Sequence, residues 1–307
     1  MDPLEDVLSL LEATGHLSSG LSAGGRWAVR FPPPDGVKFN AVSQGHCWLR
    51  VDGVPDPIHL RDGDCYLLTR PLAFTLASDL DLPTEPAQPL FTAAAQGVAR
   101  AGDGDEVFLI GGAFSFTARA RALLLDNLPP VLHVPAATPE AATVRWAVAE
   151  IDAELRRQPM AATLVAELLA VVMLIRVLRL HLARDPGRTS GWLAGLADPT
   201  VAAALRGMHA RPAHPWTVAE LARAAAVSRS TLAARFKEVV GKGPLEYLTE
   251  WRIELAADRI RRGDTVATVA RAVGYGSESA FSVAFKRTTG LSPRAYRSQV
   301  TQRAERR

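Results

Sequence analysis

At 307 residues, 48% hydrophobic and 22% charged, the chain is long enough for two domains with proper cores and has the composition of a globular protein, not a fibrous or disordered one. Only two cysteines are present, Cys47 and Cys65, which excludes a disulfide-dense secreted scaffold. The net charge of +3 hides an asymmetry: from Arg211 onward 18 Lys and Arg face 9 Asp and Glu, a net of +9 against −6 for the remainder, so only the C-terminal part is expected to meet a polyanion.

The opening MDPLEDVLSLLEATG is acidic and amphipathic, and lacks the basic start and apolar stretch of a signal peptide. From Arg26 to Asp79 the runs WAVRF, VKFNAV, HCWLRV and CYLLT are separated by PPPDG, SQG, DGVPD and RDGD. Short runs bounded by Gly, Pro and Asp predict antiparallel strands, and their even spacing predicts a small barrel or jelly roll over about 20–135. A further strand pair is predicted at Val107–Phe116. Asp79–Asp105, rich in Pro, Gly and Ala, reads as a long mobile loop.

Ala141–Gln158 and Met160–Arg184 are patterned as helices. On the second, Leu164, Leu168, Val171, Val172, Ile175 and Leu182 recur at helical spacing, and Leu168–Ile175 is apolar all round. One small barrel covers a single face, so a second copy of the chain is the expected partner of the 141–184 helices, with burial inside their own domain as the alternative. Glu167, Arg176 and Arg179 interrupt Met160–Leu182, and a charge at a bilayer centre costs about 2.5–3.5 kcal/mol. No membrane span is expected, and the location is expected to be cytoplasmic. Residues 1–184 then form the first domain, expected to dimerise through these helices. Residues 185–194, starting with Asp185–Ser190 (DPGRTS), are the linker, and 195–307 form an all-helical domain opened by Thr200–Ala210.

That second domain repeats one plan. Thr217–Lys237 (TVAELARAAAVSRSTLAARFK) and Thr265–Lys286 (TVATVARAVGYGSESAFSVAFK) each run from an Ala-rich helix through a tight turn into a Ser-started helix closing on Phe and Lys, 48 residues apart. Thr217 and either Asp264 or Thr265 are N-cap candidates for the first helices, Ser228 and Ser277 for the second ones. Val218, Leu221 and Ala222 in the first copy, and Val266, Val269 and Val273 in the second, supply the inner faces. Leu232, Phe236 and Val239 or Val240 anchor one Ser-started helix; Phe281 and Phe285 anchor the other. Anchors four residues apart leave the opposite face free for a DNA groove. Between the copies Pro244–Arg262 reads as a helical connector with Leu245, Leu248, Trp251 and Leu255 turned inward.

Over about a hundred residues this half resembles the AraC/XylS family of bacterial transcription regulators, including the closing GLSPRAYR (Gly290–Arg297). The resemblance implies two helix-turn-helix subdomains on a rigid helix, entering adjacent major-groove segments of promoter DNA about 34 Å apart. Carried over by position, the base-facing residues are Ser230, Ala233 and Ala234 in the first copy and Ser279, Ser282 and Val283 in the second. Ala234 and Val283 stand where many relatives carry Arg, so bidentate reading of guanine, worth about 1–3 kcal/mol, is lost there. Thymine-methyl contacts, Ser hydrogen bonds and DNA shape are expected instead, unless Arg229, Arg235 or Arg271 reads guanine from a neighbouring position. Arg229, Lys237, Lys242, Lys286, Arg287, Arg294 and Arg297, with the helix-start amides at Ser228 and Ser277, are candidate phosphate contacts, and Thr231 is a further DNA-binding candidate. Ala226 replaces a turn glycine, and a left-handed backbone there would carry roughly 1–2 kcal/mol of strain.

The N-terminal half resembles the cupin domains found in front of such regulators, through Gly45, Asp52-Gly53 and Gly63-Asp64, and through DPLEDVLSLL and GWLAGLADP. The fold class is therefore α+β in two domains. A cupin-like antiparallel barrel or jelly roll with following helices precedes an all-α tandem helix-turn-helix domain. Where catalytic cupins place metal-binding His and Glu, this chain has Pro32, Pro34, Lys38 and Phe74, so no metal and no cofactor is expected. HExxH, CxxC and G-x-S-x-G patterns are absent as well, and no catalytic residue is expected. Candidate effector-lining residues are Phe39, Ala41, Trp48 and Phe74, with the strand phase open. Cys47 and Cys65 are either two small buried residues or a redox pair, bridgeable only with Cα atoms within about 7 Å, and His46 and His59 could tune a thiolate. The expected function is promoter binding by a homodimer that answers a small-molecule or oxidant signal, with RNA polymerase as a partner if the chain activates. The alternative is a cupin-type metal enzyme with an accessory DNA-binding module.

Overall fold

The computed structural model describes residues 3–10, 14–94, 97–115, 125, 128–184 and 191–305. It divides into a larger unit, Leu11–Thr189, and a helical unit made of Met1–Leu10 and Ser190–Arg307. The first helix, α1 (Pro3–Leu10), thus belongs with the C-terminal half, where the sequence-based division placed it in 1–184. The expected linker residues 185–190 lie outside the described residues, and Trp192–Ala197 is helix rather than linker.

The larger unit contains β1 (Thr14–Gly24), β2 (Ala28–Phe31), β3 (Val37–Gln44), β4 (His46–Val51), β5 (Ile58–Arg61), β6 (Cys65–Leu68), β7 (Phe74–Ala77), β8 (Glu85–Pro86), β9 (Val98–Gly102), β10 (Val107–Ser115) and β11 (Val131–Val134). They form a six-stranded sheet in the order β11-β6-β3-β10-β1-β9 and a five-stranded sheet in the order β5-β4-β7-β2-β8. Trp27, Val29, Val42, Leu49, Leu60, Tyr66, Phe74 and Leu76, drawn from both sheets and their joining loops, share one apolar core. The sheets are open, so of the expected barrel or jelly roll the fold takes the two-layered form, and the class stands. HCWLRV shows why: Cys47, Leu49 and Val51 are buried while His46 and Arg50 are exposed, the alternation of a strand with one wet face.

Two expectations in this unit fail. Val107–Ser115 is one strand, not a pair, because Gly111 and Gly112 sit mid-strand, opposite Asn40 and Phe39 of β3 and Ser18 and Leu17 of β1. Asp79–Asp105 is not one long loop. It holds β8, helix α2 (Ala87–Thr92) and β9, whose parallel pairing with β1 no local pattern announces.

Helices α3 (Ala142–Arg157) and α4 (Ala162–Arg184) pack together, and α4 lies against β1. The face of α4 carrying Ala166, Ala170, Met173, Leu174, Val177 and Leu178 is buried. Cys65 Sγ meets Met173 Sδ at 3.7 Å, which fixes the helix-covered face of β6. The other face of α4 is wet and apolar, with Leu164 57%, Leu168 59% and Val172 38% exposed; Trp146 of α3 is 52% and Met160 97% exposed. No helix among the described residues is long and apolar enough to cross a membrane.

In the helical unit, α5 (Trp192–Ala197), α6 (Pro199–Ala210), α7 (Val218–Ala224) and α8 (Arg229–Val240) make the first subdomain. Helix α9 (Pro244–Arg261) joins it to α10 (Val266–Ala272), α11 (Glu278–Thr289) and α12 (Pro293–Glu305). The second core gathers Ile253, Ala256, Ile260, Val269, Val273, Phe281 and Phe285. On α9, Leu248 and Trp251 are buried as expected and Leu255 half so, but Leu245 is 40% exposed; Tyr247 takes the inward place one residue pair further on.

Leu4 and Val7 anchor α1, which packs on α6. Asp6 Oδ2 lies 3.3 Å from Nδ1 of buried His209. Burial pushes His209 down to about 3, so its ring is neutral. Nε2 of the same ring lies 2.7 Å from the Tyr247 hydroxyl oxygen. Trp251 stacks on the same ring at 4.1 Å.

Candidate nucleic-acid interface

Both helix-turn-helix copies are built by their caps. Thr217 and Glu220 form a capping box at the start of α7, Thr217 Oγ1 accepting from the Glu220 amide at 3.2 Å. Ser228 Oγ accepts from the Thr231 amide at 3.1 Å and so starts α8. Thr265 caps α10, while Asp264 pairs with Arg259 at 2.7 Å instead. Ser277 Oγ accepts from the Ala280 amide at 3.2 Å and starts α11.

The turns follow one geometry with different residues. In the first, the Ala226 amide donates to Arg223 O and the Val227 amide to Ala222 O; in the second, Gly274 donates to Arg271 O and Tyr275 to Ala270 O. Ala226 has φ +54° where Gly274 has φ +87°, so the alanine does occupy the left-handed region. Ala226→Gly is expected to stabilise the helical unit by about 0.5–1 kcal/mol, the relieved strain less the extra chain entropy of glycine. Urea unfolding measures it, and a loss of stability would refute strain at this turn.

Leu232, Phe236 and Val240, rather than Val239, anchor α8; Phe281, Ala284 and Phe285 anchor α11. The opposite faces are open. Ser228, Arg229, Ser230, Thr231, Ala234 and Lys237 are exposed and Ala233 is half-buried. Ser277, Ser279, Lys286 and Arg287 are exposed, Ser282 is half-buried and Val283 is 67% exposed. Val218, Ser228, Arg229, Ser230 and Ala233 line a shallow concavity at the start of α8. Ser228 Oγ also reaches Ser230 Oγ at 2.9 Å, so the cap and the first residue expected to face the bases share a hydroxyl network.

Three expected cations are otherwise engaged. Lys242 Nζ pairs with Glu250 at 2.8 Å. Arg297 donates to the Asp264 carbonyl, tying α12 to the start of α10. Arg235, a candidate guanine reader, pairs with Asp198 at 2.7 Å and Glu238 at 3.0 Å. Arg271 and Arg294 are exposed. A brace that no local pattern revealed links the subdomains. Arg252 of α9 donates to Pro212 O at 2.6 Å and His214 O at 2.7 Å, and its guanidinium lies 6.0 Å from the Tyr275 ring centroid.

In the larger unit the four effector candidates do not converge. Phe74 is in the inter-sheet core, stacked on Phe31 at 4.6 Å. Trp48 lies on the outer face of the five-stranded sheet against His59, because its neighbours Cys47 and Leu49 point inward. Phe39 and Ala41 pair with Leu67 and Cys65 and so share the helix-covered face of the six-stranded sheet. The strand phase that sequence left open thus separates them. The same alternation separates the cysteines: Cys47 points into the core and Cys65 toward Met173, with the six-stranded sheet between. Burial raises both thiols to about 12, so neither is a ready thiolate, and the redox pair is corrected to two buried residues. The cupin metal positions do not fit a divalent ion, since Phe74 offers a packed ring and Pro32 and Pro34 no donor. Among the described residues no group of three or more His, Cys, Asp or Glu is placed to hold a metal.

A family model described as cupin matches residues 2–183, and one described as a helix-turn-helix domain matches residues 221–299. An AraC-like transcription regulator of Streptomyces antibioticus is 65% identical over 298 residues, spanning 97% of this chain and 98% of that one. A second, from Streptomyces lividans, is 63% identical over 302 residues, spanning 98% and 99%. Among solved structures, the DNA-binding domain of AdpA in complex with a target DNA is 32% identical, covers 34% of this chain and 96% of that one, and superposes with a TM-score of 0.33.

Proposed function

Because this chain belongs to the AraC-like transcription regulators, joining a cupin region to a helix-turn-helix region, we propose that α8 and α11 read two successive major-groove segments of promoter DNA. The observation that carries this is the matched pair of Ser-capped helices, each buried on its Phe side and open on its Ser, Ala and Val side. Ser230, Ala233, Ala234, Ser279, Ser282 and Val283 face base edges, reading through methyl contacts, hydroxyls and shape. Arg229, Lys237, Lys286 and Arg287, with the amides at Ser228 and Ser277, hold phosphates.

The chain acts without catalysis, as an activator that contacts RNA polymerase when a small-molecule signal reaches the cupin unit. It works as a homodimer through the apolar face of α3 and α4. Selecting bound genomic fragments tests the reading: two half-sites about one helical turn apart should be enriched. Lys237→Ala and Lys286→Ala should each flatten the slope of log K against log salt by about 0.9 while leaving the preferred sequence unchanged. Retention of random fragments would defeat sequence-specific regulation. A tenfold loss on exchanging a single G·C pair would show arginine readout instead.

A further inference from the structure

Arg235 sits one residue beyond Ala234 on α8, exposed on the flank between the groove-facing side and the side packed on α5 and α6. It is not left to the solvent. Asp198 Oδ2 takes its Nε at 2.7 Å, and Glu238 Oε2 takes its Nη1 at 3.0 Å. The Asp198 side chain is only 12% exposed, against 47% for Arg235. Its other oxygen caps α6 by accepting from the Val201 amide at 2.9 Å. The carboxylate is therefore held by a contact that does not involve Arg235. Withdrawing the guanidinium would strand a largely buried anion, which raises the cost of releasing it to DNA. Burial pulls the Asp198 carboxyl up, but the Val201 amide and Arg235 more than offset this and hold it below the usual range, so the pair stays charged.

We infer that Asp198 and Glu238 withhold Arg235 from DNA, so that α8 reads its groove segment without an arginine and nonspecific phosphate affinity is kept down. The inference rests on the promoter-binding reading and adds to it a restraint on affinity. It assigns Asp198, outside the helix-turn-helix proper, a role in specificity. The backbone beside it supports the same coupling. Gly191 N–H donates to Val239 O at 3.0 Å, and Gly195 packs against Val240, so the segment entering this unit is fastened to the C-terminal end of α8.

Asp198→Asn combined with Glu238→Gln isolates the charge, because Asn caps helices as well as Asp does. In fluorescence-anisotropy titrations of the full chain with random duplex DNA, the double variant should gain about one phosphate contact. Its salt slope should steepen by about 0.9, and binding should strengthen roughly tenfold at 50 mM salt. Affinity for a selected operator should rise by the same factor or less, so the specificity ratio does not improve. Adding Arg235→Gln to the double variant should remove the gain. An unchanged slope in the double variant would overturn the inference. So would a gain that survives Arg235→Gln, since that would be mere loss of negative charge. Arg235→Gln alone should leave operator affinity within about twofold; a tenfold loss would make Arg235 a reader. Wild-type protein that shows no operator preference would instead sink the promoter-binding reading itself.

Discussion

Replacing Gly274 with alanine is expected to destabilise the helical unit by about 3 kcal/mol or more, lowering its melting temperature by on the order of 10 °C. Two effects add. The residue sits at φ +87°, where an L side chain carries roughly 1–2 kcal/mol of strain. A Cβ there would also come within 2.4 Å of Ala213 O, 2.8 Å of its Cα and 2.9 Å of its carbonyl carbon. Those atoms are backbone and cannot swing away. The loop holding them is pinned by Arg252 at Pro212 and His214 and by Trp216 Nε1 donating to Arg211 O at 3.0 Å. Gly290 separates the two contributions: its φ is +79°, but a Cβ would meet nothing within 4 Å. Gly290→Ala should therefore show the strain alone. Differential scanning calorimetry of both variants decides the matter; equal losses would mean the loop yields and the steric contribution is negligible. Because the clash lies where the first subdomain meets the second, Gly274→Ala should also weaken binding to a two-segment operator more than to either half.

The second large effect concerns the open face of α4. Leu164→Glu with Leu168→Glu should convert a dimer to a monomer and weaken operator binding by about 10²-fold or more. Burying a leucine contributes about 1.5–3 kcal/mol, and a two-fold interface counts each residue twice. Glutamates at the same places would also be unpaired charges under the seal. Both leucines are more than half exposed in the single chain, so the fold itself should change by less than about 0.5 kcal/mol. Sedimentation equilibrium measures the outcome. A wild-type chain that stays monomeric at tens of micromolar, or a double variant that still dimerises, would remove α4 as the interface.

The tandem repeat was legible because its determinants are local. A hydroxyl cap, a turn and two apolar anchors four residues apart lie within a dozen residues of one another, so Ser228, Leu232 and Phe236, and Ser277, Phe281 and Phe285, carry their own instructions. Ala226 stood out through the family resemblance, which places a glycine in that turn, and only the structure shows that its backbone is left-handed. The sheet strands with clean alternation, such as His46–Val51, were visible, whereas β1 (TGHLSSGLSAG) was not. Its small and polar residues have weak strand preference, and it is a strand because β10 and β9 pair with it from either side.

The sequence by itself determined the helix-turn-helix pair, the placement of basic charge, the cupin resemblance and the lack of metal-binding residues at the cupin positions. Only the tertiary structure decided which faces those residues occupy. It set Trp48 outside and Phe74 inside, parted Cys47 from Cys65 across a sheet, and drew α1 onto α6. It also gave Arg235, Lys242 and Arg297, all candidate DNA contacts, partners within the chain. The physical reason is separation along the chain. Caps and turns act between neighbours, but strand phase, ion pairing such as Asp198 with Arg235, and the brace from Arg252 to the 212–214 loop join residues tens of positions apart, and no local pattern encodes them.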